Sequence, residues 1–317
     1  MRRQWVRRLL QAVPTLLGMS ILIFGLVHLL PGDVTSALTG GEAGANASSE
    51  AALRKALGLN GSIPLQYWHF VTGLFSGHLG KSFVTGQSIA TIMGGAIPIT
   101  LEIALLASLM AVAVGMPLGV LSALKRNSAS DLLGRVAGLV GLSVPNFWLA
   151  TLALLATSRF FGWVPALEWT SFWSDPLENL SQAAVPAFCV SFYLLAMVMR
   201  MTRASMLEVL HEGYVRTARA KGAPERVVIV RHALRNSLIP VVTVVGTQVG
   251  SLMGGVTIIE VIFGIPGVGN TLINAVYTRD YPLIEVTAVF LAAVFVILNL
   301  AVDLVYGLLD PRLRASI

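Results

Sequence analysis

Six long apolar stretches constrain this chain before any other feature does. They lie at about residues 9–30, 99–123, 134–158, 183–199, 238–262 and 284–306, and crossing the hydrocarbon of a bilayer takes ~20 apolar residues in a helix. The fourth is short, but helix can continue past Arg200 into a basic stretch. Hydrophobic residues make up 55% of the 317 and charged residues 12%, with a mean hydropathy of +0.76, which excludes a soluble globular domain. The expected fold is an all-α polytopic membrane protein with six transmembrane helices. The first run could pass for a secretory leader, since arginines precede it and Ala45-Asn46-Ala47 imitates a cleavage site. It exceeds the ~7–15 residues of a leader's apolar region, and that tripeptide lies far past its end, so it reads as an uncleaved span. The single cysteine, Cys189, falls inside a span and permits no internal disulfide.

Charge then orients the spans. The segments on the side of the N-terminus carry 17 of the 22 Lys and Arg residues, and the opposite segments carry five: Arg54, Lys55, Lys81, Arg159 and Arg279. By the positive-inside rule both termini are expected in the cytoplasm. The net charge of +6 hugs the membrane rather than lining a soluble face, so nucleic acid is not expected as a partner.

The richest basic segment is residues 212–240, EGYVRTARAKGAPERVVIVRHALRNSLIP, with Arg203 close by. Its pattern is helix, break, helix. Residues 214–221 are good helix formers, Gly222 suits the left-handed position after a helix, and Pro224 suits the first turn of the next. A second helical run, 225–236, leads to Pro240, where the fifth span is expected to begin. A short helical hairpin on a membrane face is a docking device.

ARAKG (218–222), RHALRN (231–236) and Ile239-Pro240 together resemble the cytoplasmic coupling loop of ABC importer permeases, in particular the dipeptide/oligopeptide/nickel branch. The wider family's Glu-Ala-Ala reads Arg216-Thr217-Ala218 here, although Ala218 and Gly222 fit, and its Ile-x-Leu-Pro falls on His232-Ala233-Leu234-Arg235. Both departures are usual in the peptide branch. LGL…P..QY….G..GHLGKS (57–82), IPGVGN (265–270) and RDYP (279–282) also resemble that branch. The resemblance covers nearly the whole chain. It implies the type I importer permease fold in a bacterial inner membrane, with a permease core at 95–307, an N-terminal helix and outer segment at 1–94, and a cytoplasmic tail at 308–317. It implies ATPase contacts at Tyr214, Arg216, Thr217, Ala218, Arg219, Ala220, Lys221, Gly222 and Ala223. It further implies a homologous permease partner, two cytoplasmic ATPase subunits that carry ATP and magnesium, and an extracytoplasmic solute-binding protein. Peptides are the expected substrate; nickel chelates, glutathione and glycosides are handled by similar permeases.

Other features bear on mechanism. Gly80-Lys81-Ser82 is no phosphate-binding loop, because the required earlier glycine is Phe75. Gly267-Val268-Gly269 lacks the third glycine of a dinucleotide turn, having Leu272 there. No cofactor, metal cluster or catalytic motif is expected in this chain. In the outer segment, LLPGD (29–33) reads as a turn and 50–58 as helix-like. Tyr67, Trp68 and Phe70 are placed where an interfacial helix would lie on lipid headgroups. Pro117, Pro145 and Pro186 fall inside spans, where a fixed kink and a hinge for alternating access both fit. In the fifth span Gly246, Gly250 and Gly254 recur every four residues beside Thr243, Thr247 and Ser251. Such a pattern serves close helix packing, or these hydroxyls and Gln248 line the translocation path. Glu102, Glu260 and Asp303 sit near span ends, where water or headgroups are expected to solvate them, and no run of buried acids or histidines suggests a proton relay.

Two functions of other classes compete with an importer subunit. A secondary transporter would carry matching interrupted helices in its two halves, and none is evident. A basic membrane anchor would not need the Gly222–Pro224 break.

Overall fold

The computed structural model describes residues 2–29, 61–166 and 168–309, and within them the chain is helical apart from short connections and one isolated bridge between Lys81 and Ser88. The outer turn at 29–33 beyond Leu29, the helix-like stretch 50–58 and the tail from 310 onward lie outside the described residues. Five described helices are long and apolar enough to cross a membrane, and two bent pairs raise the number to as many as seven. The chain is thus an all-α polytopic membrane protein.

In order, the helices are α1 Arg2–Leu29, α2 Ile63–Ser76, α3 Ile89–Leu124, α4 Ala129–Ser143, α5 Asn146–Phe161, α6 Pro176–Val209 and α7 Gly213–Ala220. A helical turn Glu225–Val227 and a π-helical segment Val228–Leu234 lead into α8 Arg235–Phe263, followed by α9 Val268–Thr278 and α10 Tyr281–Leu309. Three of these differ from the sequence expectation. The third apolar run, 134–158, is two helices meeting at 107°. Val144 is extended (φ −80°, ψ 122°) ahead of Pro145, as a proline's ring disfavours the helical region for the residue before it. Pro145 therefore breaks the span instead of kinking it. Pro240, expected to begin the fifth span, lies inside α8. The connection expected between the fifth and sixth apolar runs contains the whole of α9.

The contacts divide the chain into two units. The first holds Leu101–Ile265 and the end of α10 from Ile297. Its centre is α6, whose Ala183, Ala187, Val190, Leu194 and Val198 are buried at helical spacing. Helices in hydrocarbon gain nothing from hiding apolar surface from water, so their association depends on close packing at small residues. That occurs at Gly115 and Gly119 of α3: a Cβ on either would lie 2.7 Å from the Leu195 carbonyl oxygen or 2.6 Å from that of Met199. On α4, Gly141 meets Ala196 of α6 in the same way, at 2.5 Å. The glycine row anticipated in the fifth span is different. Gly250 is buried and Gly254 is open, with nothing within 4 Å of its Cβ direction.

One ionic cluster ties the α3, α4 and α6 elements of this unit together. Asp131, fully buried in the first turn of α4, receives Arg203 of α6 through Nε at 2.7 Å and Nη2 at 3.0 Å. Its remaining acceptor capacity takes the Ser122 hydroxyl of α3 at 2.7 Å and the Asn127 amide at 3.0 Å. A bidentate guanidinium–carboxylate pair is directional as well as strong, so it fixes the rotation of α6 against α4.

The second unit holds Arg2–Thr100 and Pro266–Val296. Here α2 packs on α1: Tyr67 shares a hydrogen bond with Ser20 at 2.8 Å, and the rings of Tyr67 and Phe70 lie 5.3 and 6.0 Å from that of Phe24. Two of the three aromatics expected on headgroups thus face a helix, and only Trp68 is exposed, at 63%. The Gly80-Lys81-Ser82 stretch forms a latch. Buried Asp280 accepts from the Ser82 hydroxyl and, at 3.0 Å, from the Phe83 amide. Val268 at the start of α9 donates its amide to Thr100 at 2.8 Å.

The α3–α6 contact yields a test. Gly119→Val places a branched side chain against the Met199 carbonyl and Thr202, with overpacking costing ~1–3 kcal/mol or more. The thermal midpoint of the purified protein, followed by tryptophan fluorescence, should fall by several degrees. Gly94→Ala, which meets nothing within 4 Å, should leave it unchanged, and equal midpoints for the two would contradict the packing account.

Candidate coupling hairpin and transport face

The basic stretch forms the expected hairpin. After α6 ends at Val209, a short turn leads into the eight-residue α7. Val215 is buried, and Ala218, one turn on, is half-buried, so these two face the protein. Tyr214, Arg216, Thr217, Arg219, Ala220 and Lys221 are exposed. Of the two alanines in ARAKG, Ala220 is therefore the one on the free surface.

The end of α7 is a Schellman motif. Gly222 donates to Arg219 O at 2.9 Å and Ala223 to Ala218 O at 3.3 Å, which needs a left-handed residue after the helix. Gly222 supplies it at φ +78°, a conformation that costs any residue with a Cβ ~1 kcal/mol or more. Pro224 then caps the next turn, its carbonyl accepting from Val227 at 2.8 Å and Val228 at 3.0 Å. The break thus lies where the sequence put it, with Pro224 one position earlier than the first-turn site.

Three polar contacts brace the hairpin. Arg219 binds Glu225 through both arms of its guanidinium, at 2.7 and 3.2 Å, across the Gly222 turn. The Asn236 side chain donates to the Tyr214 hydroxyl at 2.7 Å. Arg216 donates to the His211 carbonyl at 2.9 Å. An exposed pair such as Arg219–Glu225 contributes only ~0–1 kcal/mol, so the turn rests more on Gly222 than on the charges. Beneath the hairpin, Met206 of α6, Ala123 of α3 and Ala233 of the π segment form a small buried core. Met206 is one turn from Arg203, which places the Asp131 cluster next to the hairpin's seat. Asp131 was missed in the sequence. The Ser128-x-x-Asp131 spacing signals a helix start, and the Ser128 side chain does cap α4, but nothing local announces a partner 72 residues away.

On α8 the structure brings Thr243, Thr247 and Ser251 onto one exposed stripe, four residues apart. The first two hydroxyls bond the helix's own carbonyls, Ile239 O at 2.9 Å and Val244 O at 3.0 Å. Gln248 is separated from them: it is half-buried, with Nε2 3.3 Å from Met197 Sδ of α6. Glu260, expected to be solvated at a span end, is fully buried. The reason is that Glu260 lies on the inward face of α8 with buried Val256, Ile259 and Phe263. Glu102 is half-buried, with one carboxylate oxygen shielded from solvent, and the side chain of Asp303 lies outside the described residues.

The chain matches the family described as binding-protein-dependent transport system inner membrane component over residues 115–315, and that family's N-terminal membrane component over residues 1–104. It is 37% identical over 330 residues to a dipeptide transport system permease protein of Alkalihalophilus pseudofirmus, with 98% of each chain covered. It is 37% identical over 332 residues to the dipeptide transport system permease of Escherichia coli, again with 98% of each covered. To a glutathione transport system permease of Pectobacterium atrosepticum it is 38% identical over 314 residues, with 99% of each covered. With both family matches and identities of this size over whole chains, this multi-pass inner-membrane protein belongs to the permease family of binding-protein-dependent ABC transport systems.

Proposed function

We propose that this chain is one of two homologous membrane subunits of an ATP-driven importer and forms half of the path for peptides handed over by an extracytoplasmic binding protein. The observation that carries the reading is the α7 hairpin: a rigidly terminated helix with an exposed small and basic face, seated on the ends of α3 and α6. A helix of this size fits a groove on a cytoplasmic ATPase subunit, and two such subunits supply the ATP and magnesium chemistry that this chain lacks. Ala220 permits close approach. Lys221 and Arg216 give register and association rate more than affinity, as rim charges do. Arg219 has a different part, since it is bound to Glu225 within the hairpin. The exposed row Thr243, Thr247 and Ser251 faces the translocation path, with Gln248 held back against α6. Peptide as substrate is supported by the dipeptide permeases among the relatives; the glutathione permease transports a molecule of the same peptide chemistry by its name.

Topology follows from the 17-to-five asymmetry of basic residues. In a Cys189→Ser background, single cysteines at Ser128 and Ala223 are expected to react with a membrane-impermeant maleimide only from the cytoplasm. Those at Ser62 and Asn274 should react only from outside. Labelling of Ala223→Cys in intact cells would overturn the orientation.

Coupling is tested in the reconstituted complex. Gly222→Val should leave insertion intact and abolish most substrate-stimulated ATP hydrolysis, because the hairpin's two arms lose their angle. Arg219→Glu, which sets a second carboxylate against Glu225 across the Gly222 turn, should lower it in a salt-sensitive way, since exposed charges are screened over ~8 Å at physiological ionic strength. Normal insertion with full stimulated activity in both variants would refute the hairpin as the coupling element.

A further inference from the structure

The second unit contains a groove with no part in the transport reading. It is a cavity of about 570 Å³ walled by α1, α2, α3 and α10, including Val13, Leu17, Phe75, Met93, Ile97 and Phe290. Its one polar side chain, Ser20, has its hydroxyl engaged by Leu17 O at 2.9 Å and Tyr67 at 2.8 Å. The wall therefore offers nothing for a polar ligand to bond. It runs along the candidate spans Leu10–Leu29 and Tyr281–Val302. From Val286 to Ala293 on α10 it extends for ~10 Å, at ~1.5 Å per helical residue. An irregular protein segment is a poor occupant, because it would carry unpaired backbone groups into hydrocarbon.

A second cavity of about 190 Å³ shares Leu74, Leu79 and Val286 with the groove and opens toward the start of α10. That end is polar. Its walls carry His69 and His78 together with Glu285, which is 6% exposed and lies 3.8 Å from His28 Nδ1. An occupant must join a stretch of hydrocarbon to a compact head bearing charge. The head meets two imidazoles, which can donate to a phosphate, and the Glu285 carboxyl, whose oxygens can accept from an ammonium. Hydrocarbon below, phosphate and ammonium above, is the chemistry of an amine-bearing phospholipid.

We propose that this groove is a specific site for one outer-leaflet phospholipid with a primary-amine headgroup, its acyl chain between α1 and α10 and its head against His69, His78 and Glu285. The leaflet assignment rests on the topology above; the contacts do not. A lipid held there would complete the wall between α1 and α10 where the protein's own side chains leave a gap.

The test uses the whole transporter complex, reconstituted in bilayers of equal phosphatidylethanolamine and phosphatidylglycerol. A photoreactive benzoylphenylalanine replaces Phe75, a residue 86% exposed at the rim of the groove. Irradiation should give an adduct with the mass of phosphatidylethanolamine. Native mass spectrometry should find that lipid retained in preference to phosphatidylglycerol. Ala293→Trp, which fills the groove, should reduce retention several-fold at unchanged insertion, and Glu285→Gln should remove the headgroup preference. An adduct with a second copy of this chain or with another subunit overturns the proposal, as does the absence of a lipid adduct. Equal retention of both lipids overturns it too. None of these readings depends on transport or ATP hydrolysis, so failure here is separable from failure of the importer reading.

Discussion

Helices surrounded by hydrocarbon must find their partners through close fit and through polar contacts, since apolar contact with lipid is as good as apolar contact with protein. In this chain that constraint is met around α6. The Leu195 and Met199 carbonyls face Gly115 and Gly119 at distances that leave no room for a Cβ, and Ala196 meets Gly141 from the other helix. The approach is too tight to slide, so α3, α4 and α6 behave as one body. The Asp131–Arg203 pair adds a directional lock to the same three elements, with Ser122 completing it from α3. A buried carboxylate needs its acceptor positions filled, and here side chains and a backbone amide fill them.

This arrangement bears directly on transmission. The hairpin is seated on Met206, Ala123 and Ala233, which belong to α6, to α3 and to the π segment leading into α8. On the proposed coupling reading, a push on α7 would reach α6 and α8 together through this seat. The π segment, Val228–Leu234, is the one irregular piece of this route among the described residues, and such segments often mark functional sites. The helix it feeds carries Thr243, Thr247 and Ser251 on its exposed stripe. On that same reading, a single helix joins the hairpin's seat to the exposed stripe.

Much of this was legible in the sequence because hydrophobicity and backbone chemistry are local properties. The apolar runs announced the spans, and Gly222 followed by Pro224 announced the break, because few other residues suit a left-handed helix end and a following cap. What escaped depends on distance or on competition. Pro145 inside an apolar run is equally compatible with a kink or a break, and only the extended Val144 before it decides for a break. The α9 helix lay hidden between two turn-like strings. Arg219 reads as a free docking charge until Glu225 is found across the turn. Asp131 reads as a helix cap until Arg203 is found 72 residues away. The burial of Glu260 depends on which face of α8 it occupies, which apolar composition does not fix.

The most direct measurement of the central claim is a crosslink from the exposed face of α7. A photoreactive side chain at Ala220, in the assembled complex within native membranes, should give one major adduct with a cytoplasmic ATPase subunit. Its yield should fall when Gly222→Val alters the end of the same helix. An adduct only with lipid, or an ATPase adduct whose yield ignores Gly222, would contradict the account.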